Sequence, residues 1–427
     1  MIILDKALER RAEAGNPVRM AIVGAGYMAR GIAAHATLIP GIELVAISNR
    51  TIGKAARVFE EVGRGQARRV ESPSELDDAV ARGVPAVADT PEPLCRAESV
   101  DVVVEVTGEV EFGAHSALDA IAHGKHVVLV NAELDSTVGP ILKAKADKAG
   151  VILTNTDGDE PAVAMNLLRY VKTIGLQPVL AGNIKGFLDQ HRNPDTQRAF
   201  AESVGQGPKR IASYADGTKL SMEATLVANA AGFGVARRGM NGYQCAHVTD
   251  LLELYDGSVP PDEGIVDYVL GAEPGSGAFV VGYSANAIAQ EYLRYFKMGN
   301  GPLYLFYAPW HIPQAEAPLT AARAVLFRDA AVAAMDGPRC EVITIAKRDL
   351  RAGEVLDGIG GFTCYGTIDN VDVSRRERLL PMGVSEGCVL IADVPLDHAV
   401  TYDDVCVPNG RLVDRLRLEQ DALFTSG

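Results

Sequence analysis

The chain has 427 residues, 48% apolar and 22% charged, with a formal net charge of −14. This is the balance of a folded globular protein, not a disordered one, and at roughly 150 residues per domain it predicts about three domains. So acidic a surface argues against nucleic acid as a partner, and no apolar run reaches the ~18 residues of a membrane span. Residues 1–19 mix acids and bases without the apolar core of a secretory signal. The six cysteines form no C-x-x-C pair and read as reduced, buried thiols. A soluble, cytoplasmic protein is expected.

In chain order, Val18–Val23 is a predicted strand, Met28–Leu38 a helix, Glu43–Ser48 a strand and Gly53–Val62 a helix. Strands follow at Asp101–Thr107, Lys125–Asn131 and Val151–Thr154, with helices at Phe112–His123 and Ser136–Ala149. Such alternation predicts an α/β fold, a Rossmann-type doubly wound parallel sheet over residues 1–155. Beyond Asn155 the rhythm changes. Helices at Ala162–Ile174 and Lys219–Ala231 flank a polar, irregular stretch, Lys185–Asp216, and predict an α+β catalytic domain over 156–318. Leu319–Met335 is predicted as one long helix that packs back on the first domain. Residues 337–427, with short strands and Gly turns, read as a small β-rich domain.

The first strand runs into Gly24-Ala-Gly26-Tyr27-Met28-Ala29. In a strand–turn–helix context G-x-G-x-x-A is a dinucleotide fingerprint. The first Gly makes the turn, the second admits the pyrophosphate, and Ala29 lets helix and strand approach. The second strand ends Ser48-Asn49-Arg50-Thr51 without the acid that grips an NAD ribose; Glu43 sits at its other end. A carboxylate would repel a 2′-phosphate that Arg50 could hold, so NADP(H) is the expected cofactor, although Arg50 could instead stack on adenine. The loops Thr107-Gly108-Glu109 and Asn131-Ala132-Glu133 leave strand C-termini, so Thr107, Gly108 and Asn131 should border the nicotinamide and Glu133 the substrate.

Three segments carry the candidate chemistry. Asp157, Asp159 and Glu160 fall within Asn155–Pro161, where they could hold a divalent metal (Mg or Mn), contact substrate, or cap the next helix with Pro161 at its first turn. Residues 183–219 carry more Lys and Arg than Asp and Glu, including Lys185, His191 and Arg192, the type of locally basic lining an anionic substrate requires. In Asp216-Gly-Thr-Lys219-Leu-Ser-Met-Glu223, helical spacing would align Asp216, Lys219 and Glu223 on one face of an otherwise apolar helix. Partly desolvated charges of this type are paired or functional.

Gly24-x-Gly26-x-x-Ala29, Asp101-Val-Val-Val-Glu-Val-Thr-Gly and Lys125-His-Val-Val resemble the cofactor domain of homoserine dehydrogenases, and Asp216 with Lys219 resembles their active-site Asp and Lys. The chain departs from them at Asn131-Ala132-Glu133 and at Lys185-Gly186. A fuller resemblance, carried by Asp216–Glu223, by Tyr295-Phe-Lys297-Met-Gly299-Asn-Gly301-Pro302 and by the SAF-like stretch Ala346–Leu356, is to the bacterial reductoisomerase-like proteins that act on 1-deoxy-D-xylulose 5-phosphate. The resemblance implies an NADPH-dependent reductoisomerase with a SAF-like C-terminal domain, acting as a homo-oligomer on a small phosphorylated or polyhydroxylated substrate. A homoserine-dehydrogenase-like or sugar-acid dehydrogenase remains an alternative, as does a non-catalytic SAF-type binding or assembly protein. On the favoured reading Lys219 and Lys185 polarise or protonate the developing alkoxide, Asp216 or Glu223 orients the lysine or moves protons, and His191, Arg192 and Lys297 contact substrate. The C-terminal domain is expected to be dispensable for cofactor binding, with a boundary near Gly337.

Overall fold

In the computed structural model, which describes residues 3–255, 257 and 263–424, the β-rich runs of the first third form one parallel sheet. Its strands are β1 (Val18–Val23), β2 (Ile42–Ser48), β3 (Arg68–Arg69), β4 (Ala86–Ala88), β5 (Val102–Glu105), β6 (His126–Leu129) and β7 (Leu153–Asn155). Their spatial order is β3-β4-β2-β1-β5-β6-β7 and every pairing is parallel. The helices are α1 (Asp5–Glu13), α2 (Tyr27–Ala36), α3 (Ile52–Glu61), α4 (Pro73–Ala81), α5 (Glu92–Arg96), α6 (Val110–Ala122) and α7 (Ala132–Ala149). β5 is buried throughout, as a central parallel strand covered on both faces must be. Strand order reverses at β1, so the crevice outside the carboxyl ends of β1, β2 and β5 is where a ligand of such a sheet docks.

The next stretch builds a second unit: α8 (Glu160–Thr173), β8 (Gln177–Lys185), α9 (Pro194–Ser203), α10 (Pro208–Ala215), α11 (Thr218–Ala231), β9 (Tyr243–Gln244), α12 (Leu251–Leu254), β10 (Ile265–Leu270), β11 (Ala278–Tyr283), α13 (Ala287–Tyr295) and β12 (Leu303–Ala308). Its mixed sheet has the order β12-β11-β8-β10-β9.

The chain then returns to the first unit as α14 (Pro313–Phe327), whose Ala317, Ala321, Ala322 and Ala324 are buried. This helix starts earlier than the Ala pattern suggests and ends eight residues before Met335, at Arg328, which takes a left-handed φ of 50°. Helix gives way there because buried polar groups at the end of β7 claim the backbone: Thr154 Oγ1 accepts from Ala331 N at 2.9 Å, and Asn155 N donates to Val332 O at 2.8 Å. The remaining elements are β13 (Cys340–Ala346), β14 (Cys364–Asn370), α15 (Val371–Glu377), β15 (Val389–Leu390), β16 (Val405–Cys406) and α16 (Leu412–Phe424).

Residues 334–414 do not stand apart as a third unit; they pack with 160–311, whereas 415–424 group with 3–159 and 312–333. The reason lies in α11, which is buried at nearly every position. Thr218 Oγ1 accepts from Gly366 N at 2.8 Å, and Asn229 Oδ1 accepts from Arg339 N and Cys340 N at 2.7 and 3.0 Å. A Cβ on Gly366 would sit 2.7 Å from Val342 and 3.0 Å from Thr218, so only glycine lets β14 lie this close. α16 serves the first unit. It fills the kink of α7 at Val138, where Gln420 Oε1 accepts from Ile141 N (3.2 Å) and Arg417 donates to Thr137 O (3.2 Å).

Candidate active site

β1 ends in a turn built for a phosphate. Gly24 has φ +114°, and a Cβ there would lie 3.0 Å from Val106. Gly26 is exposed with open space at its Cβ position, and no side chain caps the N-terminus of α2, which leaves its amide groups and positive dipole to an anion. Ala29 is fully buried against the sheet; Tyr27 is exposed and Met28 partly so. Ser48 is buried at the end of β2, Asn49 is held by bonds to Ala88 O and Thr51 O, and Arg50 is exposed. Glu43 lies at the opposite end of β2 beside Arg64 and Arg19. The residues present therefore fit a dinucleotide, and the strand end offers Arg50 where an NAD site offers a carboxylate.

Beyond β5 and β6 the loops are tied by a residue the sequence did not single out. Glu105 is fully buried and accepts from Thr107 N (2.8 Å), Thr107 Oγ1 and Asn131 Nδ2 (2.6 Å). Gly108 has φ +73°, and Glu133 lies partly buried in the first turn of α7.

The second unit concentrates charge at the end of β8. Lys185 Nζ bonds Glu160 and lies 3.3 Å from Glu223 Oε2, and Asn183 Nδ2 donates to the same two carboxylates at 3.0 and 2.9 Å. Glu160 and Glu223 are almost wholly buried. Burial pushes the Glu223 carboxyl up to about 7, against the pull of the Lys185 ammonium; the neighbouring Glu160 adds to the rise and Lys219 opposes it. For Lys185, burial disfavours the ammonium, but the two carboxylates outweigh it and hold the group above the usual lysine range. Asn183 Oδ1 is buried and lacks a partner among the described residues. His311, absent from the sequence-derived candidates, stands 3.8 Å from Glu160 with its Nδ1 2.9 Å from Ser276 Oγ.

Asp216 does not share a helix face with Lys219 and Glu223. It closes α10, Gly217 turns at φ +87°, and α11 begins at Thr218. Fully buried, Asp216 binds Lys347 Nζ at 2.8 Å and Thr218 N at 2.9 Å, so it anchors the β13 segment. Lys347, also bonded to Arg192 O and Gly361 O, is the unforeseen member. Arg192 meets Asp189 and stacks 5.3 Å over Phe187, while His191 bonds Asp397 at 3.0 Å. Lys297 is exposed in a left-handed turn after α13. The three acids proposed for a metal do not converge either. Asp157 faces Arg323 and Glu160 faces Lys185 and Asn183. Among the described residues no three His, Cys, Asp or Glu side chains form a metal-holding group.

A Rossmann sheet with this glycine turn, joined to a unit bearing a buried lysine between carboxylates, defines an NAD(P)-dependent oxidoreductase. Residues 24–154 match the family described as homoserine dehydrogenase, NAD binding domain, and residues 158–317 match the family described as oxidoreductase DRL, catalytic domain. No curated protein matches the chain. Among solved structures it is similar to a probable dehydrogenase from Thermotoga maritima (14% identity, 68% of this chain and 75% of that one, TM-score 0.40). It is also similar to a myo-inositol dehydrogenase from Corynebacterium glutamicum (16%, 68% and 75%, 0.38). A DOX-P reductoisomerase solved with NADPH, fosmidomycin and magnesium is a third (17%, 49% and 58%, 0.33). No membrane-crossing helix is present among the described residues.

Proposed function

We propose that the protein catalyses NADP(H)-dependent reduction of a carbonyl on a small polyhydroxylated, phosphorylated molecule, with 1-deoxy-D-xylulose 5-phosphate the first candidate. The observation that carries this reading is the Lys185 ammonium held between Glu160 and Glu223 beside the unpartnered Asn183 Oδ1. The match of residues 158–317 to the DRL catalytic domain supports it. When bound, the cofactor supplies hydride chemistry. Lys185 polarises the carbonyl oxygen and protonates the developing alkoxide, since a preorganised cation stabilises charge that appears in the transition state. Glu223, with a carboxyl near 7, returns a proton to the lysine at neutral pH. Glu160 and Asn183 Oδ1 accept from substrate hydroxyl groups, which recognise a polyol better than an alkane because a buried acceptor left unmatched is costly.

A dehydrogenase that reduces without rearrangement is the second reading. It is favoured by the engagement of Asp157 and Glu160 with cations and by the lack, among the described residues, of a group of three His, Cys, Asp or Glu that could chelate vicinal oxygens through a metal. NADPH oxidation screened over phosphorylated ketoses and semialdehydes, with product identification, tests both. 2-C-Methyl-D-erythritol 4-phosphate from 1-deoxy-D-xylulose 5-phosphate supports the first, an unrearranged alcohol supports the second, and no oxidation with any member overturns both.

A further inference from the structure

We propose that Glu105 is a positioning residue of the cofactor site, and that its ionised carboxylate locks the β5–α6 and β6–α7 loops in the shape that accepts the nicotinamide half of NADP(H). The inference rests on the reading that the cofactor lies outside the carboxyl ends of β1, β5 and β6.

Every group hydrogen-bonded to Glu105 is a donor, and their orientations are constrained from outside. Thr107 N–H can only donate. Thr107 Oγ1 receives Glu109 N at 3.3 Å, which turns its own proton toward Glu105. Asn131 cannot flip to offer its oxygen, because Oδ1 accepts from Leu134 N (3.0 Å) to cap α7 while Nδ2 also donates to Glu109 O (3.2 Å). A carboxylate satisfies all of these; a carboxylic acid gives up an acceptor position, and its proton can be taken only by the second lone pair of Thr107 Oγ1, which turns the threonine proton away from the tie. Space is closed as well. A Cβ on Gly113 of α6 would lie 2.9 Å from Asn131 Nδ2 and 3.1 Å from Glu105 Oε2. Val23 of β1 and Leu129 of β6 flank Glu105 in the sheet, and Glu133 of α7 faces it with a second negative charge.

Burial pushes the Glu105 carboxyl up to about 7, against the donors from Thr107 and Asn131, and Glu133 adds to the rise. Protonation therefore falls in the neutral range. As pH drops through it, one oxygen gains a hydrogen that either confronts the Asn131 donor or takes over the Thr107 hydroxyl, the tie between the two loops weakens, and cofactor affinity falls. By linkage, cofactor binding releases a proton.

The test is NADPH affinity from pH 6 to pH 8.5, by fluorescence titration, for the full chain and for Glu105→Gln and Thr107→Val. The cofactor's 2′-phosphate also titrates near pH 6, so the difference between chains is the readout. Wild type should bind about ten-fold more tightly at pH 8 than at pH 6 beyond what Glu105→Gln shows. Glu105→Gln sets an amide donor against Asn131, so it should bind at pH 8 with about ten-fold lower affinity, the loss of roughly one buried hydrogen bond. Thr107→Val removes a donor that favours the carboxylate and should move the midpoint of the profile to higher pH, which keeps the test open should Glu105→Gln fail to fold. Equal affinities and pH profiles in wild type and Glu105→Gln, or an unmoved midpoint in Thr107→Val, overturn the inference while leaving the cofactor site intact. Failure of wild type to bind NADPH at any pH overturns the site itself.

Discussion

Arg323 and Asp157 meet inside the protein: Nη1 lies 3.0 Å from Oδ1, with the guanidinium 1% and the carboxylate 6% exposed. Asp329 takes the other side of the same guanidinium at 2.8 Å. This ties α14 to the chain leaving β7 and makes Asp157 an anchor of that helix. Removing one partner of a buried pair typically costs about 3–5 kcal/mol. Asp157→Ala is expected to lower unfolding free energy by that order in urea titrations, with the loss unchanged by added magnesium or manganese. A destabilisation under ~1 kcal/mol, or rescue by metal, would contradict the assignment.

For the chemistry, Lys185→Met should reduce kcat by about 10²-fold or more while leaving NADPH affinity within about two-fold, as removal of a charge-stabilising donor does. Lys219→Met should also reduce kcat, through the Glu223 carboxyl that its charge holds down. Its pH–rate profile should shift to higher pH as the Glu223 carboxyl rises. Steady-state kinetics across pH 6–9 with saturating substrate separates the two roles; wild-type kcat in Lys185→Met would remove it from the mechanism.

Arg50 is exposed at the end of β2 with no carboxylate at that strand end. NADPH should therefore bind more tightly than NADH, and Arg50→Ala should erase most of the difference, roughly ten-fold or more for a lost charge-assisted contact. Tighter binding of NADH to the unaltered chain would show that Arg50 does not read the 2′-phosphate.

Asp135 is buried in α7, with its carboxyl pushed up to about 7 by burial, against a donor from Asn155 at 3.4 Å. Between its unfolded value near 4 and about 7 the folded chain holds a proton the unfolded chain has lost. Stability from this group therefore falls as pH rises through that window and is flat above it. Asp135→Asn escapes the penalty. Its stability relative to wild type should grow from pH 4 to pH 7 by a few kcal/mol and then level off, the order that burial-driven shifts of this size imply. Melting temperatures in parallel at pH 5 and pH 8 provide the check, and a difference that does not change with pH would refute the account.

The sheet strands around Gly24 were legible because central parallel strands read as apolar runs and the glycine turn has a fixed spacing. α4 was not marked by the strand rhythm, although Ser72-Pro73 with Glu75 three residues after Ser72 signals its start, and Ser72 Oγ does accept from Glu75 N. β3 and β4 have two and three residues and leave no period to read. Lys185 and Glu223 were visible as charges in apolar surroundings. That Glu160 and Asn183 converge on them, with His311 beside Glu160, was not, because these segments meet only in the fold. The partner of Asp216 was hidden for the same reason: 131 residues separate it from Lys347.

Near the expected boundary at Gly337 the chain does pass from one unit to the other, at Ala334, but the residues that follow join 160–311. A chain ending at Asp336 would lose α16 from the kink of α7 and strip β13 and β14 from α11. It is expected to be largely insoluble or to bind NADPH poorly, in contrast to an independent cofactor domain; expression with NADPH titration measures this.

That α16 completes the first unit has a bearing on synthesis. Ile141 and Gln420 are 279 residues apart, so at ~5–20 residues per second a ribosome makes α16 roughly 14–56 s after α7. Until then the backbone groups at Ile141 and Thr137 stay open to water or to a chaperone. A prematurely stopped product thus carries its own mark of incompleteness in the part made first, where cellular proteolysis can act on it before any activity is acquired.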